Sequence, residues 1–301
     1  MSGRFTTALS FTRTIPAAQR GILLALMSTG LFVLVGVLVR MLSERIDLFQ
    51  ILLFRQLVFI VLLIPAVLAS LDTVLKPQQL PLHALRIVGA FMALYLGFVT
   101  VSHLPLADAT ALGFTQVLFV ALISRLFLAE SVGMARLFTV ITGFGGVMLV
   151  VQPSFAGVSV LYTLAGLAGA AGAALAVVCV RRLAQTQPRV VLLSWQAVFV
   201  GLLALVPGLA GWQWPTLDEL VLLLLVGVIS SLAQWIGVTA YQLAQANVVA
   251  NVEYAKIIYA LIFGYCLFAE IPDATALIGV LVIIASAAVP WLLSHRSKRA
   301  G

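Results

Sequence analysis

The stretches that carry no charged side chain constrain this chain most. Gly21–Val39, Ile87–Ser102, Leu137–Val180, Val190–Leu217, Leu220–Val252 and Ala274–Ser294 contain no Asp, Glu, Lys or Arg. They are rich in Leu, Val, Ala and Gly and lack the apolar/polar alternation of strands, which argues for helices and against an outer-membrane barrel. A helix crosses about 30 Å of hydrocarbon with about 20 mostly apolar residues. Hydrophobic residues make up 63% of the chain and charged residues 9%, with a mean hydropathy of +1.17. Soluble domains run at about 45–50% and 25%, so too few charges are present to build a water-facing surface. The expected fold class is an all-α integral membrane protein. At about 30 residues per span and connection, 301 residues hold ten transmembrane helices and no large soluble domain.

The expected spans are 20–40, 48–70, 84–102, 106–128, 134–152, 158–180, 189–210, 219–242, 247–268 and 274–293. Breaks fall at Lys76-Pro77-Gln78, His103-Leu104-Pro105, Gln152-Pro153-Ser154 and Trp212-Gln213-Trp214-Pro215, where Pro, Gly and polar residues cluster. The boundary near Leu243–Asn247 is marked only by a turn. Gly21–Val39 is long enough to span and is read as a retained first helix, not a cleaved signal. Cys179 and Cys266 lie in apolar segments and read as small hydrophobes.

The net charge of +7 does not indicate nucleic acid, because most basic residues flank apolar runs. With the N-terminus inside, the inner segments hold thirteen: Arg4, Arg13, Arg20, Lys76, Arg86, Arg125, Arg136, Arg181, Arg182, Arg189, Arg296, Lys298 and Arg299. The outer segments hold two, Arg40 and Arg45, beside Glu44 and Asp47. The positive-inside rule then places both termini in the cytoplasm. The expected location is a bacterial inner membrane.

The chain also repeats itself. Shifted by 140, Leu52-Leu53-Phe54-Arg55-Gln56-Leu57-Val58-Phe59 lies over Leu192-Leu193-Ser194-Trp195-Gln196-Ala197-Val198-Phe199, identical at five of eight positions. The same shift pairs Ala93 with Ala233, Gly97 with Gly237 and Ala129-Glu130 with Ala269-Glu270. Five spans per copy force the second copy into the membrane inverted. The expected organisation is a 1–19 tail, a first five-helix repeat at 20–153, a second inverted five-helix repeat at 157–293 and a basic tail at 294–301. Inverted repeats place a binding site near the midplane, where rocking exposes it to either side.

The run Leu104-Pro105-Leu106-Ala107-Asp108-Ala109-Thr110-Ala111-Leu112, then Phe127-Leu128-Ala129-Glu130 and Gly143-Phe144-Gly145-Gly146-Val147, resembles the drug/metabolite transporter superfamily, specifically its family with two EamA domains. In the second half the resemblance rests on Glu253-Tyr254-Ala255-Lys256 and Leu267-Phe268-Ala269-Glu270-Ile271-Pro272-Asp273. It covers about residues 20–293 and implies a ten-helix inner-membrane carrier for small metabolites. The chain departs from the family where a proline is usual, reading Thr115-Gln116-Val117 in the fourth span and Ala244-Gln245-Ala246 before the ninth.

Charges inside a membrane are costly, so each is a functional candidate. Arg55, in the second span, either clamps backbone carbonyls or binds a substrate carboxylate through its planar fork. Glu253 and Lys256 are three apart in the ninth span and share a face with Tyr259. They are read as an internal ion pair, or as a substrate anchor at Lys256 with a cation or a coupling proton at Glu253. Ser230, Gln234 and Tyr241 form one stripe of the eighth span, suited to a water-lined cavity. Asn251 and Tyr254, with Asn247, form another stripe on the ninth, and Gln116 contributes a weaker polar side on the fourth. Asp108, Glu130 and Glu270 fall near span ends and read as solvated or packing residues. Gly166, Gly169 and Gly172 suit close helix packing.

These residues point to a secondary transporter moving a small polar or zwitterionic metabolite by alternating access. Arg55 and Lys256 against Glu253 leave one net positive charge, which favours export of an amino-acid-like or carboxylated metabolite, opine-type metallophores included. The alternative is an uptake carrier for a vitamin or cofactor such as riboflavin. A different class is a membrane subunit of a larger complex. No enzyme signature is present: H-E-x-x-H, G-x-S-x-G and Asp-rich motifs are absent, and His83, His103 and His295 lie near span ends. The expected partners are a small molecule and the lipid bilayer, with no nucleic acid, cofactor or metal. Proton coupling and homodimerisation are left open.

Overall fold

A computed structural model of the protein describes residues 16–104, 106–128, 133–153, 159–268 and 273–297. Expectations placed on Arg4, Arg13, Glu130, Glu270, Lys298 and Arg299 lie outside these residues, as do those on the side chains of Arg40, Asp108, Arg136, Asn247, His295 and Arg296. Among the described residues every regular element is an α-helix. They are α1 (Ala17–Leu42), α2 (Leu48–Leu68), α3 (Leu71–Leu75), α4 (Leu80–His103), α5 (Leu106–Phe114), α6 (Gln116–Phe127), α7 (Met134–Val151), α8 (Val160–Thr186), α9 (Arg189–Ala210), α10 (Leu217–Leu243), α11 (Ala246–Val252), α12 (Ala255–Phe268) and α13 (Ala274–Ser297).

Among the described residues, seven helical stretches are long and apolar enough to cross a bilayer: Ala17–Val39, Leu48–Leu68, Leu80–Gly97, Thr110–Phe127 (which runs through the turn between α5 and α6), Val160–Thr186, Arg189–Ala210 and Leu217–Leu243. Two shorter apolar stretches, Leu137–Val151 and Ala274–Ser286, accompany them. The bundle exterior is greasy throughout, with Leu68, Leu126, Val160, Val206 and Leu281 all strongly exposed. Patches of that extent are not left against water. This is a multi-pass membrane protein.

Lipid tails are as apolar as Leu, so helices in a bilayer are held together by close packing of small residues and by polar contacts, not by a hydrophobic gradient. The structure follows that rule. The strongest pairings are α4 with α8, α1 with α10, α7 with α13 and α2 with α9. At the first, a Cβ on Gly172 would stand 2.8 Å from Met92 Cβ and 2.9 Å from the Gly89 carbonyl oxygen. At α7–α13, a Cβ on Gly279 would stand 2.6 Å from the Gly146 carbonyl oxygen. Only glycine allows the backbones this near.

Two ends of the bundle can be told apart. At the proximal end, where α1 and α4 begin, Gly21 meets Ala244, Arg181 donates to the carbonyls of Tyr241 at 2.5 Å and Gln242 at 3.3 Å, and His83 meets Gln187 at 3.1 Å. At the distal end, Arg45 forms a salt bridge with Glu219 and donates to the Trp214 carbonyl at 3.0 Å. Gln50 locks onto the backbone of Gln213 through two hydrogen bonds of 2.6 and 2.9 Å. Also there, Gln152 donates to Asp273 at 2.9 Å. That amide, helped by the Ala276 N–H, holds the Asp273 carboxyl below its ordinary value.

The fourth and ninth expected spans are not single helices. α5 stops at Phe114 because the Thr115 N–H and hydroxyl both turn back to the Leu112 carbonyl, at 3.1 and 2.5 Å. α11 stops at Val252, and the N–H groups of Glu253, Tyr254, Lys256 and Ile257 bond three residues back instead of four. These tightened turns are the 3₁₀ geometry that marks hinges inside helices. The continuous ninth span expected from sequence is therefore corrected: Glu253 and Tyr254 sit in its break.

Candidate functional site

The two breaks frame the polar interior. A cavity of about 190 Å³ lies in the proximal half, walled by α1, α4, α8, α9, α10 and the α11 segment. Its polar lining is Ser28, Thr29, Arg86, Gln196, Gln234, Tyr241 and Glu253. A second cavity of about 280 Å³ is lined by Thr110, Gly113, Phe114, Gln116, Val117, Glu253 and Lys256. Along the ninth segment the first cavity takes Val249 and Glu253, and the second takes Glu253 and Lys256. The two are thus stacked along the bundle axis and share Glu253.

Arg86 is the residue that sequence reasoning misplaced. Counted among inner-surface cations, it is 3% exposed and lines the proximal cavity. It stands six residues into α4, about 9 Å along the axis at 1.5 Å per residue. One terminal nitrogen donates to the Leu192 carbonyl at 2.8 Å and the other contacts the Gln196 side-chain oxygen. Leu192 and Gln196 are one turn apart on α9, so the planar guanidinium straddles that turn. Gln234 donates to the same Gln196 oxygen at 3.2 Å. The signal was present in the sequence, since Arg86 falls within the expected 84–102 span, but helix-end arginines ordinarily reach water.

Lys256 pairs with Glu253, as its spacing suggested. The contact is charge against charge without the alignment of a hydrogen bond, since the buried Glu253 Oε2 has no hydrogen-bond partner among the described residues.

The other sequence candidates divide. Gln234, Tyr241 and Glu253 meet in the proximal cavity, and Gln116 and Lys256 join Glu253 in the second. Ser230 is buried and turned back on its own helix, donating to the Gly227 carbonyl at 3.1 Å. Tyr254, 2% exposed, donates to the Val140 carbonyl at 2.9 Å, packs beside Phe114 and lines neither cavity. Asn251 lines neither cavity, and its buried side-chain oxygen has no partner among the described residues. Arg55 sits in a separate, mostly apolar pocket with Val35, Leu48 and Leu94. Its guanidinium lies 5.9 Å over the Phe32 ring, and Phe32 lines the proximal cavity. Phe32 therefore stands between Arg55 and the polar interior. The one-positive-charge tally from Arg55, Lys256 and Glu253 is corrected by the addition of Arg86.

The EamA-like transporter family matches residues 19–152 and again 160–291. The pseudopaline exporter CntI of Pseudomonas aeruginosa is 30% identical over 90% of this chain and 96% of its own. A riboflavin transporter of Vibrio cholerae is 29% identical over 71% and 72%. An S-adenosylmethionine uptake transporter of Rickettsia bellii is 25% identical over 82% and 85%. One solved crystal structure matches with a TM-score of 0.78 at 19% identity, over 92% of this chain and 98% of that one, a likeness of fold.

Proposed function

The chain belongs to the EamA-like transporter family, and from that premise we propose an inner-membrane secondary transporter that exports a small polar or zwitterionic, amino-acid-like or carboxylated metabolite by alternating access. Its family and relatives are transporters, not enzymes. The observation that carries the reading is the shared wall at Glu253: two polar cavities, one on each side of a carboxylate held in a helix break. A binding group reached from either cavity is what alternating access requires.

The architecture that goes with this reading is ten spans in two inverted repeats, at 20–153 and 157–293, between tails at 1–19 and 294–301. α5–α6 and α11–α12 each count as one interrupted span. The pairings support it. Numbered as spans, the third packs on the sixth as the eighth packs on the first, while the second meets the seventh and the fifth meets the tenth. A twofold exchange of halves maps this set onto itself. Interrupted helices at corresponding places in two halves are also where such carriers bind their cargo. Basic side chains gather at the proximal end, with Arg20, Lys76, Arg125, Arg182 and Arg189 there. Both termini are accordingly cytoplasmic.

Export of a carboxylated metabolite is favoured by the named exporter, which matches over nearly all of both chains, and by the excess of cations in the interior. Uptake of a vitamin or cofactor is the second reading, favoured by the riboflavin and S-adenosylmethionine relatives. Glu253 is the group offered for proton coupling, as a carboxylate that lines both cavities. The test compares metabolites of cytoplasm and medium with the gene deleted and restored. Accumulation inside the deleted strain is expected, and failure to scavenge an added nutrient would favour uptake instead. Lys256→Ala and Glu253→Gln should reproduce the deletion while inserting normally. Normal transport by both would sink the shared-wall mechanism.

A further inference from the structure

Resting on the transporter reading, we propose that the proximal cavity and the Arg55 pocket are the two halves of one path through the bundle, with the ring of Phe32 as the gate between them. On α1, Ser28, Thr29 and Phe32 line the proximal cavity, while Val35 and Val39 line the Arg55 pocket. On α4 the cavity takes Arg86 and Ala90, and the pocket takes Leu94 and Gly97. On α10 the cavity takes Gln234 and Tyr241, and the pocket takes Val226. Spacings of three, four, seven and eight keep residues on one face of a helix. Each of these three helices therefore offers a single stripe that begins in one space and ends in the other. Two spaces that share three stripes follow one another along the bundle axis. From Ser28 to Val39 the α1 stripe runs about 16 Å at 1.5 Å per residue. The pocket, of about 300 Å³, also takes Leu48, the first residue of α2, at the distal end.

The interruption falls at one level of the stripes. Phe32 is the last α1 residue on the cavity side, and Val35, less than a turn further, is already on the pocket side. On α10 the stripe passes between Val226 and Gln234 through Ser230, which is buried and bonded back to Gly227. Arg55 stands beyond the ring, its guanidinium 5.9 Å from the ring centroid, within the reach of a cation–π attraction. Its buried Nε has no hydrogen-bond partner among the described residues, so the ring face is the contact that holds this cation in a mostly apolar wall. The cation in turn holds the ring across the path. Open space lies on the distal side, where a Cβ on Gly97 would meet nothing within 4 Å. Turning the ring aside joins the halves. Glu253 lines the proximal cavity but not the Arg55 pocket, so closure at Phe32 is separate from the wall shared with the second cavity.

The test reads accessibility and needs no knowledge of the cargo. Gly97→Cys, in a background with Cys179 and Cys266 replaced, puts a thiol into the pocket without a clash. With Phe32 intact, an impermeant maleimide should label it from the distal side of oriented vesicles. From the proximal side labelling should be slower by at least about tenfold, since a minor open state is populated at about 0.1–10%. Phe32→Ala should remove that difference, Arg55→Gln should reduce it, and Phe32→Tyr, which keeps the ring, should preserve it. Proximal labelling of Ala90→Cys and the unfolding temperature in detergent show that each variant is folded. Equal labelling of Gly97→Cys from both sides with Phe32 intact would mean that no gate stands there. A difference that persists in folded Phe32→Ala and Arg55→Gln proteins would place the closure elsewhere. No labelling from either side in any variant would make the pocket a dry, lipid-filled groove. Each of these results overturns the proposal and leaves the transporter reading standing. If instead no metabolite depends on the protein in the deletion strain, the transporter reading falls whatever the labelling shows.

Discussion

Arg86 and Tyr254 exchange the roles that their positions in the sequence suggest. An arginine a few residues from a helix end ordinarily extends to water, but Arg86 is held in the interior by acceptors on α9. A tyrosine amid polar residues in the ninth span ordinarily faces the same cavity as they do. Tyr254 instead spends its hydroxyl on the Val140 carbonyl, and its ring would meet a Cβ on Gly143 at 2.6 Å. Tyr254→Phe should therefore cost about 1 kcal/mol of stability, the net worth of one buried hydrogen bond, without changing apparent affinity for the cargo. Thermal unfolding in detergent and the concentration dependence of efflux measure the two separately. A large rise in KM with unchanged stability would return Tyr254 to the binding site.

At the scale of elements, glycines set which helices touch. Gly172→Ala would press a methyl group against Met92 Cβ and the Gly89 carbonyl oxygen. The carbonyl belongs to a helix backbone and cannot swing aside, so an overpacking cost of about 1–3 kcal/mol is expected. Gly36→Ala is the matched control. Nothing lies within 4 Å of its Cβ, and alanine is the better helix former by about 1 kcal/mol. The two substitutions should move the unfolding temperature in opposite directions. The breaks in the fourth and ninth spans belong to this scale as well. The break at Thr115 lacks the proline usual in the family's fourth span, and a hydrogen bond to the residue three back does there what proline does by removing an N–H.

For the whole molecule, the arrangement of consequence is two cavities meeting at one carboxylate. If Glu253 separates the compartments by holding Lys256, neutralising it should let them communicate. Single cysteines at Ala90, on the proximal cavity, and at Gly113, on the second, report this in a background with Cys179 and Cys266 replaced. Ala90→Cys should react with an impermeant maleimide from the proximal side only, and Gly113→Cys more slowly from that side than from the distal one. Glu253→Gln should reduce the sidedness of both. Unchanged sidedness would mean that the barrier lies elsewhere in the bundle.

The sequence by itself determined the membrane, the helices and the family. Those follow from where charges are absent and from a repeat at a nearly constant offset, which are properties of the chain read in one dimension. It also located Glu253, Lys256, Gln234 and Tyr241, because a charged or polar stripe in an apolar run has nowhere inexpensive to go except inward. What only the tertiary structure decided is which of those residues share a cavity. Arg86 entered it and Arg55, Ser230 and Tyr254 left it, although all four lie in apolar segments. The deciding contacts come from helices more than twenty residues away in sequence: Leu192 and Gln196 against Arg86, Phe32 beside Arg55 and Val140 beside Tyr254; Ser230, by contrast, closes on its own helix. Burial in a membrane protein is set by the neighbouring helix and not by the residue's own hydropathy, because lipid and protein interior are equally apolar.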